Sequence, residues 1–361
     1  MSNGKEKYIY AFIGFNDPHV HKRGVENIIL LQAQALIGRK VFYIFFGHKN
    51  KAFKWGSIIG ISVRKFDFLS LNLILRFLKK KYSAQLFIHS HNYQLSFLCY
   101  YDTNVFTVHD SLTYLYGNLK RKYIFLFKLI ERAVYKRAKK IHFISEFTKS
   151  KCLFDSKYNY KSIIIYNSTP LEQINNQATK NKETKNDIIQ IFSVRSIEKR
   201  ARIDLLIEVC NELSKSPYPI VLSIAGKGEF LSHYKQIIKD KKIDNLILLG
   251  YVSDKELIDH YIKSNLIILP AEYGEGFGLP IIEGYLFGKP VIASNKCAIP
   301  EVIINDNMLF ENDVNSILDK IFHFVANRHS LSDSSQYINY YESRFSNTTI
   351  VNLYKQKLYG I

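Results

Sequence analysis

The chain has 361 residues, more than one hydrophobic core usually supports, so two domains are expected. Hydrophobic residues make up 47% and aromatics 14%, which calls for substantial globular cores and excludes a disordered or fibrous chain. The formal charge of +18 is unevenly placed: residues 1–167 hold 28 Lys+Arg against 9 Asp+Glu, a net +19, whereas residues 168–361 hold 22 against 23, a net −1. Four scattered cysteines, Cys99, Cys152, Cys210 and Cys297, form no Cys-x-x-Cys pair, which speaks against a zinc site or a disulfide framework and for a reducing cytoplasm. The opening "MSNGKEKYIYAFIGF" shows no signal-peptide pattern, and no run approaches the eighteen apolar residues of a membrane span.

In chain order, the apolar runs "KYIYAFIGF", "KVFYIFFG", "QLFIHSH", "NVFTVHD", "KKIHFIS" and "KSIIIYN" predict strands, with helical patterns over 24–38, 71–81 and 120–138 between them. The second half repeats the scheme with "DIIQIFSV", "PIVLSIAG", "NLILLGYV", "SNLIILPA" and "KPVIASN". Continuous apolar strands alternating with helices imply parallel sheets covered on both faces. The polar stretch 168–187 reads as a linker, or a mobile excursion beside it, between an N-terminal domain over 1–167 and a second over 188–344, with a final helix 345–361 returning to the first. Two doubly wound Rossmann-like domains facing a central cleft follow, with ligands expected beyond the carboxyl ends of the strands.

The stretch "EGFGLPIIEGYLFGKPVIASN" carries two carboxylates, Glu275 and Glu283, around a Gly-Leu-Pro step. Pro280 suits a first helical turn, and Gly288 with Pro290 a helix end. That places Gly276, Phe277, Gly278 and Leu279 at a helix entrance whose amides favour an anion, with Glu283 in the first helical turn. There the Glu283 carboxylate can accept from two neighbouring hydroxyls such as those of a ribose, while Glu275 meets another hydroxylated group. Solvated surface charge is the alternative reading of the pair.

This stretch resembles the Glu-x7-Glu signature of retaining glycosyltransferases of the GT-B fold, in particular glycosyltransferase family 4. The resemblance implies that Glu275 touches the transferred sugar, the amides of Phe277, Gly278 and Leu279 the sugar and phosphate, and Glu283 the nucleotide ribose. No Asp-x-Asp pair exists, so the diphosphate needs side-chain cations and no metal. The strand "IIQIFSVRS" ends in Arg195, and "IEKRARIDLLIEV" is similar to the segment that supplies a second cation. Ala201 stands where the family has Gly, which leaves Lys199, Arg200 and Arg202 as candidates for that role.

Further blocks carry the resemblance along the chain. "LSIAGKGEF" is similar to the family's strand and Gly-x-Gly, implying that Gly226 and Gly228 let the backbone pass close to the nucleotide. "NLILLGYVSDKELIDHY" implies that Tyr251 and Val252 lie by the base. "HKRGVENIILLQAQALIGRKV" resembles the Gly-Gly-x-Glu helix start, with Gly24 near the diphosphate and acceptor and Arg23 in place of the first Gly. "NVFTVHDS" ends at His109, which the resemblance places against the transferred sugar, with a core or turn histidine as the alternative. Ser168 stands where Gly usually follows Asn167.

Basic residues crowd 75–82 and 118–140, the latter including Lys120, Arg121 and Lys122 among aromatic and aliphatic residues. A solvated helix face, an anionic membrane surface and nucleic acid are the three candidate readings. No nucleic-acid module is present, and a lipid-linked pyrophosphate acceptor fits the charge asymmetry better. The sequence thus implies a retaining, metal-independent hexosyltransferase. It would move sugar from a nucleotide sugar to a saccharide or polyprenyl-pyrophosphate-linked acceptor in O-antigen or capsule assembly, peripherally on the inner face of the cytoplasmic membrane. A nucleotide-sugar epimerase, a phosphorylase and a basic nucleic-acid-binding protein are the alternatives.

Overall fold

A computed structural model of the chain describes residues 7–14, 16–18, 24–47, 51–64, 67–117, 124–153, 156–175 and 188–361. Two units divide it: Met1–Asn167 with Ile350–Ile361, and Ser168–Thr349. Arg23, Lys120, Arg121, Lys122 and the greater part of the expected linker, 176–187, lie outside the described residues.

The first unit holds β1 (Tyr8–Ile13), β2 (Val41–Gly47), β3 (Lys51–Trp55), β4 (Ile58–Arg64), β5 (Gln85–Ser90), β6 (Val105–Val108), β7 (Lys140–Phe143) and β8 (Ser162–Ile164). They form one sheet in the order β3-β4-β2-β1-β5-β6-β7-β8, parallel except for β3, which runs antiparallel to β4. The hairpin β3–β4 adds an edge that the periodic runs do not announce. Lys51 and Lys54 face solvent there, and Gly56 makes the turn with φ +58°.

Side chains alternate across this sheet. Tyr10, Phe12 and Tyr43 pack with helix Val25–Gln34 and with Ile350, Tyr354 and Leu358 of the returning tail. Ile9, Ala11, Phe42 and Ile88 face helix Phe68–Tyr82, and Phe106, Val108 and Phe143 face helix Ile124–Arg137. Period-2 alternation thus buries both faces under helices, as a parallel sheet requires.

The second unit holds β9 (Ile189–Val194), β10 (Ile220–Ala225), β11 (Leu246–Gly250), β12 (Leu266–Leu269), β13 (Val291–Ser294) and β14 (Leu309–Phe310), paired in the order β11-β10-β9-β12-β13-β14 and all parallel. The order reverses beside β9, so the carboxyl ends of β9 and β12 flank the switch point where doubly wound sheets bind ligands.

Residues 168–175 are not linker. Leu171 is buried, the Ser168 hydroxyl donates to Asn347 Oδ1 at 2.8 Å, and Glu172 accepts from the Tyr341 hydroxyl at 2.6 Å and the Asn347 amide at 2.7 Å. A polar composition that cannot form a core can still be fixed by hydrogen bonds to one. The tail joins the first unit from Ile350, later than the position 345 read from the sequence.

Candidate functional site

Arg195 follows the last residue of β9, and its neighbour across the switch point is the loop from β12 to helix Leu279–Leu286. Its guanidinium donates to Glu275 Oε2, and both side chains are nearly enclosed. Glu275 Oε1 accepts from the Gly278 amide at 3.0 Å. One carboxylate therefore links the end of β9 to the helix entrance. The Gly278 amide, expected to be open to an anion, is occupied by this side chain. Gly278 enters the helix at φ +92°, a conformation that needs glycine. The Phe277 ring is buried edge-on against Phe345, with centroids 5.9 Å apart, so any ligand contact at this position falls to backbone. Leu279 and Pro280 follow in the first turn, half-buried.

Glu283 lies in the second turn of that helix, not the first, because the helix begins at Leu279. Its carboxylate is buried, accepting from the Tyr261 hydroxyl at 2.7 Å and from Thr169 Oγ1 at 3.0 Å. Tyr261 is held by helix Asp254–Lys263, whose start is fixed by a capping box between Ser253 and Glu256. Neither hydroxyl belongs to a motif. A tyrosine on the buried stripe of an amphipathic helix, beside Leu257 and Ile258, nevertheless needs a polar partner, and that was the available signal.

The three candidate cations differ in what they already hold. Arg202 is committed to Asp204 and Glu272, with a 2.7 Å contact to Glu272 that holds this carboxyl below its usual range. Arg200 donates to Glu198 at 2.8 Å and to the Gly274 carbonyl at 3.0 Å, bracing the loop ahead of Glu275. Lys199 is exposed, and among the described residues no side-chain partner satisfies its ammonium.

Gly226 and Gly228 are required by the protein itself. A Cβ at Gly226 would lie 1.7 Å from the Arg195 carbonyl oxygen, and one at Gly228 would lie 2.1 Å from that of Ile197. The close approach expected toward a nucleotide is thus made by the backbone that carries Arg195. Tyr251 is exposed with the Lys227 ammonium 4.4 Å from its ring centroid, a cation–π contact, and Val252 beside it is buried.

In the first unit, Gly24 caps helix Val25–Gln34 at φ +93° with open space where a Cβ would project, so its glycine is conformational. His109 follows β6 and is half-buried, with Nε2 2.9 Å from Nδ1 of His91 and the rings stacked. His91 stacks in turn on His89, and His91 Nε2 is buried with no hydrogen-bond partner among the described residues. The neighbouring protons can be assigned by elimination. The Ile165 carbonyl only accepts, so His142 donates to it from Nε2, at 2.9 Å. His142 Nδ1 then accepts from the Thr107 hydroxyl at 3.0 Å, and Thr107 accepts from His89 Nε2 at 2.7 Å. His89 Nδ1 takes the Tyr359 hydroxyl at 2.9 Å. Burial and, after it, His142 push His109 down to about 3, and burial pushes His142 down to about 4; burial likewise holds His89 and His91 well below the usual range. All four rings are neutral at pH 7.

Arg195, Gly226, Glu275, Phe277, Gly278 and Leu279 are thus brought together at one end of the second sheet. Lys199 and Arg200 lie on the turn after Arg195, Tyr251 and Val252 follow β11, and Glu283 is one turn down the helix. Gly24 and His109 belong to the first unit. Among the described residues, no group of three or more His, Cys, Asp or Glu side chains is arranged to hold a metal ion.

Residues 174–343 match the family model described as "Glycosyl transferases group 1". Residue for residue, the chain is 29% identical over 161 residues to a serotype-specific mannosyltransferase, WbdA, of Escherichia coli, a match covering 41% of this chain and 20% of that one. It is 27% identical over 189 residues to an uncharacterized 41.2 kDa protein in the cps region of Klebsiella pneumoniae, covering 51% and 49%. The matches thus span half or less of these relatives. Among solved structures, Anabaena HepE in complex with UDP-glucose superposes with a TM-score of 0.72 at 15% identity, over 98% of this chain and 99% of that one. The chain therefore has the GT-B fold, and residues 174–343, within its second unit, are similar to the group 1 glycosyl transferases.

Proposed function

We propose that the protein is a retaining hexosyltransferase that takes its sugar from a nucleotide diphosphate donor, without a metal, for surface polysaccharide assembly. The observation that carries this reading is the Arg195–Glu275 pair at the entrance of helix Leu279–Leu286, which sets a cation and a sugar-binding carboxylate side by side. The group 1 domain and the mannosyltransferase relative give it its reaction class.

In this reading Glu283 accepts from the ribose hydroxyls, Tyr251 and Val252 meet the base, and Arg195 with Lys199 binds the diphosphate. Arg200 orders the Gly274 loop. As the glycosidic carbon–oxygen bond breaks, its electron pair leaves on the phosphate, where the two cations stabilise the charge. The acceptor hydroxyl bonds to the anomeric carbon on the face the phosphate vacates, and the leaving phosphate takes its proton. His109, with Gly24, serves the first unit's share of the substrate, and its neutral ring acts by hydrogen bonding rather than by charge. The acceptor is a saccharide on a polyprenyl pyrophosphate at an anionic membrane.

The test is a thermal-shift screen of nucleotide sugars, followed by transfer to polyprenyl-pyrophosphate-linked saccharide in the presence of EDTA. A stabilising donor, transfer that survives chelation and an unchanged anomeric configuration are expected. Activity lost to EDTA and restored by Mg²⁺ or Mn²⁺ would refute the metal-free assignment, and hydrolysis or epimerisation without transfer would refute the reaction.

A further inference from the structure

Two helices on one face of the first sheet repeat a pattern that packing does not explain. In helix Phe68–Tyr82, Leu71, Leu75 and Leu78 are buried, while Leu69, Leu73, Arg76 and Lys80 share the opposite, exposed face. Helix Ile124–Arg137 buries Ile130 and Val134 and exposes Phe125, Leu129, Arg132 and Lys136 at the same spacing of i, i+4, i+7 and i+11. At 100° per residue these four positions fall on one stripe, apolar in its first half and basic in its second. Leu69 is 67% exposed and Phe125 71%; Leu126 widens the apolar half of the second helix, and Phe77, itself exposed, sits among the cations of the first, under the Lys81 ammonium.

The two helices belong to one layer. Helix Tyr93–Leu98 lies between them, tied to the first where Asn72 Nδ2 donates to the Leu98 carbonyl at 3.2 Å and Asn72 Oδ1 accepts from the Tyr100 amide at 2.8 Å. Arg137 ties it to the second, donating to the carbonyls of Phe97 and Cys99 at 3.0 and 2.6 Å. Phe97 and Tyr100 in this bridge are themselves exposed. Each long helix returns from the carboxyl end of one parallel strand to the start of the next. Both apolar halves therefore lie toward the strand ends where His109 sits, and both basic halves toward the opposite edge.

At that basic edge a concavity of about 770 Å³ is lined by Lys7, Arg76, Lys79, Lys80, Gln85 and Tyr101. Among the described residues no carboxylate pairs with Arg76, Lys79, Lys80, Arg132 or Lys136. Cations in a last helical turn complement the helix dipole, which accounts for lysines there but not for bare leucine and phenylalanine one and two turns earlier.

We infer that this helix layer docks the chain on an anionic lipid bilayer, its apolar halves entering the headgroup boundary and its basic halves and concavity holding lipid phosphates. A folded partner would need a matching acidic rim, whereas a bilayer supplies apolar depth and negative charge together over any area. The inference gives the proposed transferase its surface for meeting a lipid-borne acceptor, and it is tested without any transfer reaction.

The experiment is co-sedimentation of the full chain with phosphatidylglycerol–phosphatidylethanolamine vesicles and with phosphatidylcholine vesicles, at low and high salt. The wild type should bind the anionic vesicles and release in salt. The Leu69→Ser, Leu73→Ser, Phe125→Ser, Leu129→Ser variant should partition at least tenfold less. The Arg76→Gln, Lys80→Gln, Arg132→Gln, Lys136→Gln variant should lose the preference for anionic lipid. All eight side chains are solvent-facing, and the far-UV circular dichroism and melting temperature of each variant report that it is folded. Unchanged partition of either variant would overturn the proposal while leaving the reading of the donor site intact. So would a salt-sensitive shift of DNA without vesicle binding.

Discussion

The Arg195 guanidinium donates to the Glu275 carboxylate, so the cation expected to receive a diphosphate is held by the acid expected to receive the sugar. In the proposed function the donor divides this pair. Its phosphate takes part of the guanidinium while its sugar hydroxyls replace what the carboxylate loses.

Glu275→Gln should therefore have opposite effects on affinity and rate. Removing the competing charge frees Arg195, and free nucleoside diphosphate should bind tighter by about 1 kcal/mol, roughly fivefold. Turnover should fall on the order of a hundredfold, because the sugar loses its acceptor in the transition state. Calorimetry and initial rates on one preparation check both, and weaker binding of the free diphosphate would show that Glu275 supports the nucleotide instead.

Lys199 and Arg202, three residues apart, should separate cleanly. Lys199→Ala removes an uncommitted ammonium and should raise the donor KM about tenfold with little change in melting temperature. Arg202→Ala breaks contacts to Asp204 and Glu272 at a residue with φ +51° and should leave donor affinity within about twofold. If Arg202→Ala weakens donor binding more than Lys199→Ala, the assignment of the second cation reverses.

Glu283 carries structure as well as any ligand. Glu283→Ala strands the Thr169 and Tyr261 hydroxyls, at a cost of about 1–3 kcal/mol, which lowers the melting temperature by several degrees. Tyr261→Phe is the sharper probe, since it keeps the ring and releases one oxygen of the carboxylate. We expect a donor KM raised about threefold to tenfold at unchanged kcat, measured by steady-state kinetics. An unaltered KM would confine Glu283 to a structural role.

The strands and the Glu-x7-Glu stretch were legible because parallel, doubly buried strands leave unbroken apolar runs and because Pro280 and Gly288 punctuate a short helix. What escaped is tertiary. Thr169 precedes Glu283 by more than a hundred residues and meets it only through folding, and nothing local says that Glu275 turns to Arg195. Gly226 looks like a ligand-binding glycine from sequence, yet its neighbour is the Arg195 carbonyl. The hairpin β3–β4 escaped because an edge strand carrying Lys51 and Lys54 reads as polar surface rather than as an apolar run.

The neutral histidines of the first unit make its stability depend on pH, with a definite sign. Burial holds His89, His91, His109 and His142 below their ordinary value, so the unfolded chain binds protons near pH 6.5 that the native chain refuses. Stability is therefore complete above about pH 6.5 and is lost as pH falls toward the native values of about 3 for His109 and about 4 for His142. Each ring contributes about 1.4 kcal/mol per pH unit in that window. Thermal unfolding followed by circular dichroism should show the melting temperature flat from pH 8 to 7 and falling steeply from 6.5 to 5. His91→Phe keeps the stacking, removes the unpartnered Nε2 and should lessen the slope by about one ring's share. A melting temperature independent of pH between 7 and 5 would mean that these rings are protonated in the folded chain, and the proton assignments along His142, Thr107 and His89 would fall with it.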